Sequence, residues 1–544
     1  MKAALACLAI LWAAACSDDP SAPSATSVDV GFSLGDASSD VGKPSAAKDG
    51  SGLGGTRSGD DLPPEKEKDP DFGAPEGSPN YVYIPASGSD RIVKVHGKSL
   101  KVSLVEVGDR PTTLRTVPGE DAAIVINAGS DDVAILRSTE AGDKVTYEPI
   151  LPHSNSLAVA PKGQHAVVWY DHDRNKGGLE PVGNFQAVTV LRLGEGKQAS
   201  LSVSVGFRVR GVNFAQDGTK AFVVTEDGVS VLELATLKAG EIVAPVPVSK
   251  NPLDKPKERE VLTTPDAQWA VVRQSGLSGL YAVHLASKKI TWIPMTSVPT
   301  DLDLVPGSSR ALAVLRESKE VAVVDLPSAS TPTLEPTIVS VGDLTAGLAR
   351  LTDDGKTAIL YTSVAGIEQV AALDLATLAV TPVLLRKTVD YVYLPPGSRK
   401  AVLVHKPGAG PNHDDPVEAF VDKGEGYTLY DLDTGFTKLV MTPVRLTEIA
   451  TSDAKIGTDA KVQKAWILLP DPKGVQHAVQ HAQVATFQTS TTPLGSRPEH
   501  VRFLPQAGAV AVTQDHPSGR ITFIDVVTGE AKTVTGFELN GMVK

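Results

Sequence analysis

From about residue 79 onward, short apolar runs and turn residues alternate in a steady cadence. The most apolar runs are YVYIPA (81–86), AAIVINA (122–128), HAVVWYD (165–171), KAFVVTE (220–226) and WAVVRQS (269–275). They continue with RALAVLR (310–316), TAILYTS (357–363), KAVLVHK (400–406), AWILLPD (465–471) and AVAVTQD (509–515). Most are preceded by a run that ends in a tight turn, such as LAVAPKG (157–163), VNFAQDG (212–218) or VRFLPQAG (501–508). A third kind follows, as in VAVVDLPS (321–328) and TFIDVVTG (522–529), and then a fourth, as in VSLVEVG (102–108) and LSVSVG (201–206). Val-rich runs of this length between Gly, Pro and Asp are strand signals, and helical periodicity is nearly absent. Four strands per unit, recurring roughly every 41–65 residues, predict an all-β chain folded as a β-propeller of four-stranded antiparallel blades. A stack of β-sandwich domains would not require so regular a cadence.

Ten second-strand runs are present but only nine preceding inner ones, so the count lies between seven and ten blades. The unit at 80–108 has no inner run of its own, and GFELNGMV (536–543) is expected to supply it by pairing the chain ends. The stretches DRPTTLRTVPGEDAAIVINAGSDDVAIL (109–136) and SRPEHVRFLPQAGAVAVTQD (496–515) resemble the bacterial YVTN-type propeller repeat. The resemblance extends over 80–544 and implies the fold; its degenerate motif says little about activity.

The N-terminus is of another kind. Lys2 is followed by LACLAILWAAA (5–15), too short to span a bilayer as a helix but suited to a signal-peptide core. AAAC (13–16) resembles the lipobox of bacterial lipoproteins, with Ala13 where Leu is commonest. The resemblance implies cleavage before Cys16 and its acylation, hence a durable membrane anchor. Ser17, not Asp, follows it, which favours the outer membrane. Residues 17–78 are Ser, Gly, Asp, Pro and Ala with few large apolar side chains, a composition that cannot offset its ordering entropy. As a flexible tether it reaches roughly 40–50 Å. The expected organisation is a lipoprotein signal peptide (1–15), a lipidated Cys16 with a disordered linker (16–78), and the propeller (79–544), a monomer in the bacterial cell envelope.

Of 544 residues, Cys7 and Cys16 are the only cysteines, so no disulfide framework holds the folded part. The net charge of −12 and the lack of a basic stripe argue against nucleic acid.

In up-and-down blades, the loops from second to third strand and from fourth strand to the next blade emerge on one face. His172, His405, His413, His477, His481 and His516 all follow a second strand, so one face should gather them. The intervals 171–185 and 405–426 are long, and long loops on a rigid scaffold are where binding concentrates. Arg110, Arg208, Arg210, Arg386, Arg445 and Arg497 lie on the fourth-to-first connections, and bidentate contacts from them suit an anion or carboxylate. His477 and His481 in GVQHAVQHAQ (474–483) lack the Glu of a zinc-protease helix but share a strand face. With His172, His413, Asp414, Asp415 and His516 they are candidates for a divalent metal; solvated loop or capping roles are the alternative. No G-x-S-x-G elbow appears. The expected function is an envelope module, without cofactor, that binds a protein or glycan. The alternative is a lactonase-like or metal-dependent hydrolase acting on the His/Arg face.

Overall fold

The structure, a computed structural model, describes residues 72–139, 142–175, 181–194, 199–250, 259–327, 334–456 and 460–536. The expected signal peptide, Cys16 and nearly all of the expected linker lie outside the described residues. Within them the strands form ten antiparallel sheets in chain order: 76–106, 111–149, 156–204, 209–233, 259–294, 301–340, 348–384, 389–442, 449–493 and 498–535. We number these blades 1 to 10. Nine have four strands; among the described residues blade 4 has three, and its outer strand is met by a bridge between Val229 and Val246 and by Ser230 Oγ donating to Val243 O at 2.9 Å.

Ten blades make a closed ring because ten buried apolar clusters fill the ten spaces between neighbours. Blade 6 shows how the sequence encodes this. Along its second strand, Arg310–Leu315, Ala311, Ala313 and Leu315 pack toward blade 5, while Leu312 and Val314 pack toward blade 7. Both sheet faces are buried, so the strand reads as a continuous apolar run and not as an alternation.

The last space joins the chain's two ends. Val82, Ile84 and Val93 of blade 1 pack against Leu504, Ile521 and Phe523 of blade 10. Asn80 donates from Nδ2 to Gln506 Oε1 at 2.9 Å, and the Gln506 amide donates to Pro79 O at 2.9 Å. The inner strand of blade 1 is Glu76–Gly77, paired with Val82 and Tyr83, within the stretch the sequence assigned to the linker. The expected exchange with the C-terminal end is therefore corrected: blade 1 completes itself from residues just upstream, and blade faces close the ring. Residues 537–543 lie outside the described part.

Ten wedges about one axis leave an opening, and the inner strands remain half exposed where the second strands are buried. Backbone groups at or just before their free edges are met by side chains of the preceding blade. Asp301 Oδ2 accepts from the Ala349 amide at 2.7 Å, Thr300 Oγ1 donates to Gly347 O at 2.8 Å, and Thr113 Oγ1 donates to Asn155 O at 3.0 Å. Such bonds matter because an unpaired inner edge is costly where water is excluded.

The chain passes from blade to blade through a recurring glycine. A Cβ on Gly108 would lie 2.6 Å from the Asn127 amide, and one on Gly206 would lie 2.2 Å from Thr225 Oγ1. Asn127 and Thr225 each end a second strand of the following blade. This close approach puts the residues just after each glycine against that blade's loop.

Candidate binding face

The face that carries the second-to-third loops and the blade-to-blade connections does gather most of the residues expected on it. Arg208 and Arg210 enter blade 4 beside His172 and Asp173, which follow the second strand of blade 3. Arg208 contacts Asp173 at 2.7 Å and Glu226 at 3.0 Å; Arg210 contacts both at 2.5 Å. Burial raises the Asp173 carboxyl, but Arg210 and Arg208 outweigh it and hold it below the ordinary carboxylate range. Arg386 meets Glu418 at 2.8 Å and Arg445 meets Asp390 at 3.0 Å. Arg110 has its amide on Asp90 Oδ1 at 2.9 Å, and Arg497 is exposed. Of the arginines expected on this face, Arg208, Arg210, Arg386 and Arg445 each hold a carboxylate. An anion there would have to displace one.

The histidines divide. His172 is exposed, its ring 5.8 Å from Phe185. His413 is held between Glu368 (Nε2, 3.3 Å) and Glu418 (Nδ1, 3.5 Å), on opposite sides of its ring. Asp414 is exposed beside it. His477 Nδ1 accepts from the Asp471 amide at 3.0 Å and His516 Nδ1 from the Ser518 amide at 3.2 Å, so both shape their own turns.

His405 and His481 are not loop residues. His405 ends the second strand of blade 8 and is buried. Its Nδ1 faces Thr388 O at 3.2 Å and therefore carries the proton, which leaves Nε2 to accept from Thr428 Oγ1 at 2.7 Å. Burial pushes this imidazole down to about 4. His481 lies inside the third strand of blade 9 with its ring 4.9 Å from Trp466, and burial, then Lys464, also push it down to about 4. Four-residue spacing brings His477 and His481 to no common point: one ring turns back onto a loop amide, the other packs on its neighbour strand. Among the described residues no group of three His, Cys, Asp or Glu side chains is arranged to hold a metal.

Two features escaped the sequence reading. The long loop of blade 8 contains an α-helix, Pro416–Lys423. Its signals were present: Asp415 caps the Val417 and Glu418 amides, and Pro416 stands at the first helical position. The helix is fastened by Lys387, whose buried ammonium donates to Val421 O and Asp422 O, both at 2.6 Å. Val417 and Phe420 are left exposed. The second feature is aromatic. Phe185 and Phe207 stack with ring centroids 5.6 Å apart and planes at 26°, and Tyr170 meets Phe185 edge-on at 5.5 Å. The backbone fixes them: the Arg208 amide donates to Phe185 O at 2.7 Å, and the Phe207 amide to Asp227 Oδ2 at 2.6 Å. Aromatics are only 5% of the chain, so three on one loop face are a concentration that sequence could have flagged.

The axial wall of blade 6 differs in kind. Burial raises Asp301 to about 6, and Asp303, on the same side of the strand, lies well above its ordinary range through burial and the neighbouring Asp301. Glu260 raises both further and Arg350 draws Asp303 back, leaving a wall element that favours the protonated acid.

No protein-family model and no curated protein matches the chain. The likeness is to solved folds. The dihydro-heme d1 dehydrogenase NirN, solved in complex with DHE, is 12% identical over 66% of this chain and 74% of its own, with a TM-score of 0.39. A eukaryotic initiation factor is 10% identical over 79% and 97%, with a TM-score of 0.43. The β-propeller domain of Myceliophteria thermophila Cps50 (Swd1) is 12% identical over 58% and 95%, with a TM-score of 0.30. At such identities these neighbours speak to fold alone.

Proposed function

We propose that this chain is a lipid-anchored bacterial envelope propeller of the YVTN repeat type, which serves as a binding or scaffold module for a protein or glycan. The observation that carries the reading is the asymmetry of the ring. One face receives both the blade-to-blade connections and the long loops of blades 3 and 8, so side chains distant in sequence stand together on a rigid frame. The acylated Cys16 and the linker would hold that frame off the membrane, as the AAAC stretch and the composition of 17–78 support. The hydrolase alternative needs converging catalytic or metal-binding groups, and no observation among the described residues favours it.

Two experiments test the two halves. Labelling cells with an alkyne fatty acid should mark the wild-type chain in the membrane fraction, and Cys16→Ser should release it unlabelled; an unlabelled wild-type chain would remove the anchor from the account. Immobilised folded chain should retain an envelope protein or glycan, and a chain stripped of its loop-face side chains should not. Equal retention by both would remove the binding face.

A further inference from the structure

We infer that the stacked Phe185–Phe207 pair and the four ionised side chains beside it form a saccharide-binding site. The inference rests on the binding-module reading and narrows its ligand to a glycan. Three observations converge. First, neither ring belongs to the apolar cluster that joins blades 3 and 4, and Phe207 is 42% exposed. A Phe ring held rigidly at a surface, outside the core, offers an apolar face at small entropic cost.

Second, the four side chains that pair beside the rings balance one another, while Asp227 is engaged by the Phe207 amide. Arg208 and Arg210 contribute two positive charges, and Asp173 and Glu226 two negative ones. A site for a simple anion would leave the arginines unpaired, and a site for a cation would leave the carboxylates unpaired. A neutral ligand fits a balanced quartet.

Third, the quartet still has hydrogen-bonding capacity in fixed directions. Asp173 gives one oxygen to each arginine, and each oxygen keeps a second lone pair on a side chain that is more than half exposed. Both arginines have further N–H groups. Planar donors and acceptors beside an aromatic face match the alternating hydroxyls and C–H faces of a pyranose ring. They match an apolar peptide segment less well, because the rings stand beside ionised groups and outside the apolar cluster between the blades.

The test is isothermal titration of the folded chain with maltohexaose, cellohexaose and N-acetylchitotetraose at millimolar concentration, with polygalacturonate as the anionic comparison. At least one neutral oligosaccharide should bind, with little change between low and high salt. Phe207→Ala and, separately, Asp173→Asn should weaken that binding about tenfold while the melting temperature holds. The inference falls if no neutral oligosaccharide binds, if both variants bind as the wild type does, or if only polygalacturonate binds and salt abolishes it. A chain that binds no sugar yet retains an envelope protein through its loop face overturns the saccharide site and leaves the module standing. A chain that retains nothing overturns both.

Discussion

Two stacked phenylalanine pairs lie at opposite ends of the ring. Phe185 and Phe207 join blades 3 and 4 on the loop-bearing face, with centroids 5.6 Å apart. Phe436 and Phe487 follow the third strands of blades 8 and 9, on the other face, 6.1 Å apart. The ring geometry is nearly the same, but the surroundings differ. Phe487 is 5% exposed and belongs to the core cluster between its blades. Lys400 lies over its ring, and Lys438 donates to its backbone carbonyl at 2.7 Å. Phe436 is a lid on that core. Phe185 packs edge-on against the buried Tyr170, but neither Phe185 nor Phe207 belongs to the apolar cluster between blades 3 and 4, and both stand beside a balanced ionic quartet. One pair closes the scaffold and the other is carried by it.

That contrast can be broken most directly by truncation. Phe487→Ala should destabilise the propeller by about 3–4 kcal/mol, the cost of a cavity in a blade interface. Phe207→Ala should cost under about 1 kcal/mol, as for a surface change. Urea denaturation of the two variants measures both, and equal losses would erase the distinction. Charge should divide in the same way. Lys387→Met removes the ammonium bond from two helix-end carbonyls and leaves each with a single amide donor, from Gly424 and Gly408; it should cost about 1–3 kcal/mol, with early proteolysis within 406–424. Arg210→Ala, in a partly exposed quartet, should cost about 1 kcal/mol or less and lose its effect in high salt.

Titration sharpens the same line. His405 is held neutral in the fold at about 4, below the roughly 6.5 of the unfolded chain. Between those values the unfolded state binds more protons, so the contribution of His405 is complete above about 6.5 and is lost as pH falls toward 4. Melting temperature should fall over that window, and His405→Gln should flatten the slope. Asp303 runs the other way. Its folded-state carboxyl titrates above the unfolded value of about 3.9, so its ionisation weakens the fold as pH rises. Asp303→Asn should therefore raise the melting temperature modestly at pH 8 and leave it unchanged near pH 4. A variant less stable at pH 8 would contradict the burial argument.

The scaffold was legible because each blade repeats one physical problem. A strand buried on both faces must be apolar throughout, and RALAVLR and AVAVTQD announce it. The inner strand of blade 1 was missed because it has only two residues, Glu76 and Gly77, neither of them apolar. His405 and His481 were misplaced because a histidine that ends or enters a strand looks, in sequence, like the first residue of a loop. The ion quartet was half legible: position put Arg208 and Arg210 together, but Asp173 and Glu226 reach them from two different blades, across separations of 35 and 37 and of 16 and 18 residues. Phe185 and Phe207 follow no strand pattern, so their only signal in the sequence was a local concentration of rings in a chain poor in aromatics.

The account depends on the ligand being taken on the loop-bearing face. The direct measurement is retention of solubilised envelope glycan and protein on three immobilised chains: wild type, Phe207→Ala with Phe420→Ala on the loop face, and Phe436→Ala on the opposite face. Retention should fall in the double variant alone. Retention lost with Phe436→Ala, or kept by the double variant, would place the working surface elsewhere.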